Sequence, residues 1–459
     1  MLATLLIMNM NLRLNGYTEE QVNAANQDAI SRLHKFTGSL GTWFTNKTND
    51  FIDINLGLGP KDARGPNSIK VALSALSTLN LDELILDITS IIDELETDTK
   101  KDEMTRLVAT EILDKSPTTR LILHGRPLPK SLMIQALAVC RGNELARKVT
   151  NASGTDMNPV QFATLATQIS ERHGLEINIF EGPELLNQNY PAIHAMGAGS
   201  KFPAHFIEMS YSADSDSPPI VLVGKGVTFD TGGLSLKTPE AMAGMRHDIC
   251  GAATVLGIMS VLKEIDCKLN VIGLFPVIEN MIGPNSIRPG DSIPTRKGTP
   301  IRVLDTDFEG RVILADALTR ANELNPRLVI DFSTLTYQSI IALGPEIGAF
   351  FCTSETEASR FKTAADSVGE LFWQLPLASI YRTQILTESG LKNHPETGTA
   401  RAITAALFLQ EFSSAVVPWI HIDATGPTWK GTAGQDGATG FGVSTLIELL
   451  LQMGITKQR

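Results

Sequence analysis

Several charged side chains stand where apolar runs end, and their types suit metal chemistry. Lys225 lies inside IVLVGKGVTF, Asp230 closes that run, and Gly232 and Gly233 follow. Asp248 stands in MRHDICGAA, and DTDFEGR contributes Asp305, Asp307 and Glu309. A lysine within an apolar strand must find a partner or lose its charge, because an unpaired buried ammonium is costly. It can therefore pair with an aspartate or, as a neutral amine, bind a metal ion. Asp248 can be a ligand or the N-terminal cap of the helix that follows. On an extended backbone Asp307 and Glu309 project to one side and repel each other. Metal ions would neutralise them; so would Arg311 and a helix N-terminus. Lys225, Asp230, Asp248, Asp307 and Glu309 are together enough for two divalent ions if some carboxylates bridge. Two ions about 3.5–4 Å apart polarise an acyl oxygen and hold a shared hydroxide, which brings amide hydrolysis within reach. The oxygen-rich set suits Mn²⁺ or Mg²⁺, and the lysine nitrogen keeps Zn²⁺ and Co²⁺ compatible.

Lys237 and Arg311 place positive charge near these carboxylates. One can stabilise a tetrahedral oxyanion while the other holds an anion; both can equally be salt-bridge partners of the acidic cluster. His247, beside Asp248, and His421, in WIHIDATG, form neither HExxH nor a close histidine pair. They read as packed, hydrogen-bonded histidines.

The elements that must position these groups follow an α/β pattern. From Ile220 onward the strands IVLVGKGVTF, NVIGLFPVIE, IRVLDTD, RLVIDFST, GAFFCT and PWIHIDA alternate with helices expected over 252–264, 312–321, 401–412 and STLIELLLQM. Long apolar strands between helices imply a sheet covered on both faces, with functional loops beyond the strands' carboxyl ends. The first third is a smaller α/β pattern, with strands LLIMNMNL, FIDINLGLG, ELILDIT and RLILHG and helices over 18–36 and 131–148. VTNASGTDMNP is rich in turn residues, and Asn158 can cap a helix opening at Pro159. The expected division is a domain at 1–150 and a larger one at 151–459, and the 459-residue length fits two cores.

Formal charge of −11 disfavours broad electrostatic capture of nucleic acid or anionic lipid. Four widely spaced cysteines suggest neither a disulfide framework nor a thiolate zinc site, and a reducing, cytoplasmic compartment fits them. The opening MLATLLIMNMNLRLNG lacks a basic flank and reads as a first strand rather than a signal peptide. No apolar run approaches the roughly 18 residues of a membrane span.

VGKGVTFDTGGLSLKT, MRHDICGAATVLG, NMIGPNSIRPGD and DTDFEGRVILADAL match, in order and spacing, the motifs of the leucyl or cytosol aminopeptidase family, which the chain resembles from about residue 200 to 445. The resemblance implies an α/β catalytic domain with a central mixed sheet covered by helices, behind a smaller macro-like α/β domain. It implies two divalent ions: Asp230, Asp307 and Glu309 would hold one, and Lys225, Asp230, Asp248 and Glu309 the other, around a bridging hydroxide. Lys237 would polarise the scissile carbonyl and Arg311 would position a bicarbonate acting as general base. Met245 matches a residue lining the first side-chain pocket, and Thr334 and Leu335 match residues near substrate and bicarbonate. Met245 can also be core filling. The substrates would be small peptides with a free α-amine, and the assembly a homohexamer built as a dimer of trimers.

Departures from the family pattern bear on specificity. DTDFEGR stands for the usual NTDAEGR, adding the charge of Asp305 and the bulk of Phe308. Thr231 and Arg246 replace a usual serine and lysine, TLTYQ replaces TLTGA and brings in Tyr337, and ETGTARAITAAL replaces a glycine-rich stretch. These changes leave leucine preference open. The competing functions are a weakened hexamer serving as a binding or DNA-associated protein, and a two-metal hydrolase of phosphoesters.

Overall fold

The computed structural model describes residues 11–17, 43–47, 51–57, 66–74, 83–88, 95–115, 120–124, 126, 128–213, 216–396, 398–430 and 437–456. Two compact units divide the chain: Met1–Arg141 with Ala365–Glu370, and Gly142–Ala364 with Leu371–Arg459.

In the first unit, β1 (Asn11–Tyr17), β2 (Trp43–Lys47) and β3 (Phe51–Gly57) form a sheet in the order β1-β3-β2, with β1 parallel and β2 antiparallel to β3. Helices α1 (Pro66–Ser74) and α2 (Asp98–Lys115) accompany a parallel pair, β4 (Glu83–Asp87) and β5 (Arg120–His124). Ala109 and Leu113 of α2 pack with Ala136 and Cys140 of α3 (Lys130–Asn151). Strands expected at FIDINLGLG, ELILDIT and RLILHG are present, and β2 is an addition. The helix expected over 18–36 and the first ten residues lie outside the described residues.

The second unit opens with α4 (Pro159–His173). Asn158 caps it as expected, its Oδ1 accepting from Val160 N at 3.1 Å and Gln161 N at 3.2 Å. The strands of this unit's large sheet are β6 (Glu176–Glu181), β7 (His205–Tyr211), β8 (Ile220–Gly224), β9 (Gly226–Asp230), β10 (Val271–Asn280), β11 (Leu328–Ser333), β12 (Gly348–Cys352), β13 (Phe372–Gln374) and β14 (Trp419–Asp423). They build a nine-stranded mixed sheet in the order β13-β12-β14-β11-β8-β10-β7-β6, with β9 also on β10. β14, β11, β8 and β10 run parallel, and β7 and β12 turn antiparallel on either side.

Helices flank this sheet. α5 (Pro191–Gly197) and α7 (Glu309–Glu323) join α9 (Arg401–Gln410) over a core that includes Val221, Val223, Val329 and Trp419. α6 (Cys250–Met259), buried along its whole length, packs on β8, β10, β11 and α10 (Val443–Thr456). A short α8 (Tyr337–Leu343) follows β11. A helix apolar on every side belongs inside, and α6 is inside. Among the described residues no helix is long and apolar enough to cross a membrane.

Two expected strands behave differently. IVLVGKGVTF is split at Lys225, where the register brings Pro276 level with it. Proline offers no N–H, and the Lys225 backbone turns elsewhere: its N–H donates to Phe332 O at 3.1 Å and its carbonyl accepts from Ala252 N at 2.8 Å. IRVLDTD contributes only a two-residue strand at Ile301–Arg302. Asn393 Oδ1 takes the Leu304 N–H at 2.9 Å and Asp305 Oδ1 takes the Asp307 N–H at 2.9 Å, which bends the chain into a turn.

Candidate active site and metal centre

Every sequence-selected site residue lies in the second unit, some at the carboxyl ends of parallel strands and others on the turns and helices that follow. Lys225 sits between β8 and β9, and Asp230 ends β9. A bulge opposite Ile278–Asn280 shifts the register so that Asp230 pairs with Asn280; bulges of this kind re-aim side chains. Asn280 Nδ2 donates to Asp230 Oδ1 and the Gly232 N–H donates to the same oxygen, both at 2.8 Å. Gly232 needs its φ of 84°, a region that favours glycine, and a Cβ there would stand 2.9 Å from Asp307 Oδ1.

Asp307 and Glu309 meet Asp230 by a route other than strand alternation. Asp307 lies in the turn held by Asp305, and Glu309 opens α7. One carboxylate oxygen from each of Asp230, Asp307 and Glu309 lies within 4.8 Å of the others. Asp248 sits in a short 3-10 turn, Met245–Ile249, before α6. It does not cap that helix. Its Oδ1 accepts from Lys225 Nζ at 2.7 Å and Thr334 Oγ1 at 2.8 Å.

The lysines answer the carboxylates. Lys225 Nζ pairs with Asp248 at 2.7 Å and Glu309 at 3.1 Å. Lys237 Nζ pairs with Asp230 at 2.9 Å and also with Asp307. Burial works against both ammonium charges, yet the surrounding carboxylates, Asp248 first for Lys225 and Asp230 first for Lys237, hold each pKa above the ordinary lysine range. The acids show the converse. Burial, reinforced by Asp230, pushes Asp307 up to about 7 and Glu309 up to about 8. Carboxylates crowded this closely favour protons or other cations.

Arg311 is 1% exposed, and burial lowers its guanidinium pKa to about 10. Its guanidinium carbon stands 4.5 Å from the Phe308 ring centre, and Phe308 meets His394 edge-on at 4.6 Å. The added bulk of Phe308 therefore lies against Arg311. Arg311 Nε and Nη1, Asp248 Oδ2 and Glu309 Oε2 are buried without hydrogen-bond partners. Unpaired carboxylate oxygens next to a three-carboxylate cluster fit divalent cations as ligands. Gly310 makes this packing possible, because a Cβ there would meet Lys225 Cε at 2.5 Å.

These groups line one cavity of about 580 Å³. Met245, Thr334 and Leu335 line it too, as do His247, Tyr337, Arg401 and Trp429. His247 Nδ1 is 2.5 Å from Gly244 O, and His421 Nδ1 is 2.6 Å from Asp331 Oδ1 in the sheet interior. Both are packed, hydrogen-bonded histidines, although His247 also faces the cavity.

Sequence reading missed Asn280, Asp423 and Arg401. Asp423 Oδ1 accepts from Leu335 N at 3.1 Å and Thr336 N at 3.3 Å, and its Oδ2 accepts from Thr336 Oγ1 at 2.5 Å. It thereby fixes the 334–336 turn. A polar residue closing an apolar strand is the signal both Asn280 and Asp423 share with Asp230.

Fold and site define a metal-dependent hydrolase in which a mixed α/β sheet presents clustered carboxylates at its strand ends. The chain belongs to the cytosol aminopeptidase family, whose catalytic-domain model matches residues 144–447, and it is a metal-dependent aminopeptidase of the leucyl type. A probable cytosol aminopeptidase of Burkholderia ambifaria is 33% identical over 419 residues, covering 86% of this chain and 82% of that one. One from Roseiflexus castenholzii is 38% identical over 354 residues, covering 76% and 70%. Among solved structures, the bottromycin maturation enzyme BotP in complex with Mn superposes with a TM-score of 0.86 at 30% identity, covering 97% of this chain and 100% of that one. A mutant of tomato leucine aminopeptidase gives 0.84 at 27% identity, covering 98% and 95%.

Proposed function

We propose that the chain removes N-terminal residues from small peptides with a free α-amine, using two divalent ions held by Lys225, Asp230, Asp248, Asp307 and Glu309. The observation that carries this is the convergence of Asp230, Asp307 and Glu309 within 4.8 Å, with buried unpaired oxygens on Glu309 and on neighbouring Asp248. Ions bound there would supply Lewis acidity and lower the pKa of a bound water. Mn²⁺ or Zn²⁺ is the preferred pair, Mg²⁺ and Co²⁺ are also accommodated, and the Mn-bound BotP neighbour supports manganese.

The chain's own groups complete the chemistry. Lys237 donates to the scissile carbonyl oxygen as negative charge develops there. Its pairs with Asp230 and Asp307 hold it charged for that role. Arg311, with Nε and Nη1 unpaired, would hold a bicarbonate, which would supply a general base beside the attacking water. Met245 lines the first side-chain pocket, and Thr334 and Leu335, held by the contacts of Asp248 and Asp423, shape the wall beside it. We also assign residues 1–150 to a smaller macro-like α/β domain and 151–459 to the catalytic domain, in a cytoplasmic homohexamer made of two trimers.

The test is metal counting on the purified chain at saturating Mn²⁺ or Zn²⁺, with turnover of a free-amine peptide followed in parallel. Two ions per chain, with activity rising as the second binds, is the expected result. Full activity with one ion or none contradicts it.

A further inference from the structure

The cavity lining carries more positive charge than the proposed reaction uses. Arg401 lines it at the first residue of α9, where the helix N-terminus adds partial positive charge. Ala400 before it is held at φ 53°, a left-handed conformation that non-glycine residues seldom adopt. Arg401 Nε is buried with no hydrogen-bond partner, and among the described residues no ion pair engages the guanidinium. Arg311 stands close enough for the two charges to repel, and Arg401 bears on His394 in the same way. Arg401 arises in ETGTARAITAAL, one of the segments that depart from the family pattern.

Arg311, fully buried, and Arg401, half-buried with its Nε enclosed, both face one cavity with unpaired guanidinium nitrogens, and together they make an anion site. Bicarbonate at Arg311 accounts for one of them. We propose that Arg401 selects substrates by a carboxylate on the residue that follows the scissile bond. The proposal rests on the reading above, in which the α-amine and scissile carbonyl lie at the carboxylate cluster. The next residue then begins where Lys237 meets the carbonyl and extends by roughly 3.5 Å of chain. Its C-terminal carboxylate in a dipeptide, or its acidic side chain in a longer peptide, is the group Arg401 receives. A cation at the same place meets Arg401 and Arg311 as like charges.

The experiment compares kcat/KM of the metal-loaded full chain for Leu-Ala-amide, Leu-Ala as the free acid, Leu-Asp-amide and Leu-Lys-amide. Leu-Ala-amide is the neutral reference, and the two acidic substrates separate the sources of the carboxylate. At least one of them is expected to exceed the reference by roughly tenfold or more, and Leu-Lys-amide to fall below it. Arg401→Gln is expected to bring the acidic-to-neutral ratio toward one, and Arg401→Lys to restore part of it. Equal kcat/KM for acidic and neutral substrates in the unmodified chain overturns the proposal without recourse to any variant. So does a preference that survives in Arg401→Gln, or a uniform loss over all four substrates with altered bicarbonate dependence, which assigns Arg401 to the bicarbonate site. No metal-dependent turnover of Leu-Ala-amide sinks the underlying aminopeptidase mechanism instead, which is a distinguishable failure.

Discussion

Glu309 and Asp248 each keep one buried oxygen, Oε2 and Oδ2, without a hydrogen bond, while their other oxygens pair with Lys225. Glu309→Ala and Asp248→Ala are therefore expected to abolish metal-dependent turnover and to lower the number of ions bound, measured by elemental analysis beside activity. Near-normal rates with two ions in either variant reject the assignment. Lys237 is a different case, since its role lies in the transition state. Lys237→Ala is expected to lower kcat by about 100-fold or more with KM little changed. A change confined to KM makes Lys237 a ground-state binding residue instead. Lys225 and Asp230 stood out in the sequence because charges in or at the end of an apolar strand are costly without partners, Asp307 and Glu309 because closely spaced acids need positive partners, and Asp248 as a carboxylate just before a helix. Arg401 did not, because only the folded cavity reveals that its guanidinium has no partner.

Each of these side chains is aimed by the element beneath it. Gly310 lets the first turn of α7 approach Lys225, and a Cβ there would stand 2.8 Å from Lys225 Nζ. Lys225 cannot swing away cheaply while two carboxylates hold it, so Gly310→Ala is expected to weaken metal binding, read as a raised dissociation constant by titration calorimetry. Asp316 performs a structural task on the same helix. It is 0% exposed and accepts from Ala192 N at 2.8 Å, Ile193 N at 3.3 Å and Arg296 N at 2.7 Å, capping α5 from the side. Asp316→Ala strands those donors and is expected to cost about 3 kcal/mol, measured by chemical denaturation. Most strands and helices expected from Ile220 onward followed from apolar runs and turn residues, whereas β6, β7, β13, α5 and α8 were not anticipated. The break at Lys225 and the turn at Asp305–Asp307 did not follow either, since they depend on Pro276 and Asn393, distant residues that redirect backbone hydrogen bonds.

At the scale of the whole molecule, the carboxylate cluster couples folding to metal. Ions that bind only the folded chain stabilise it by mass action, by about 4 kcal/mol at a thousand times the dissociation constant. Thermal unfolding with and without Mn²⁺ is expected to show this gain in the unmodified chain and to lose it in Glu309→Ala. The proposed hexamer calls for a light-scattering mass six times that of the 49.6 kDa chain. Charge and composition could not reveal assembly, because surface self-complementarity leaves no periodic mark in a sequence.

The most direct test of the central claim is hydrolysis of matched free-amine and N-acetylated peptides by metal-stripped chain, before and after adding Mn²⁺, Zn²⁺, Co²⁺ or Mg²⁺. Metal-restored release of the N-terminal residue from the free-amine set alone is the expected result. Equal cleavage of the acetylated set, or no release with two ions bound per chain, would contradict it.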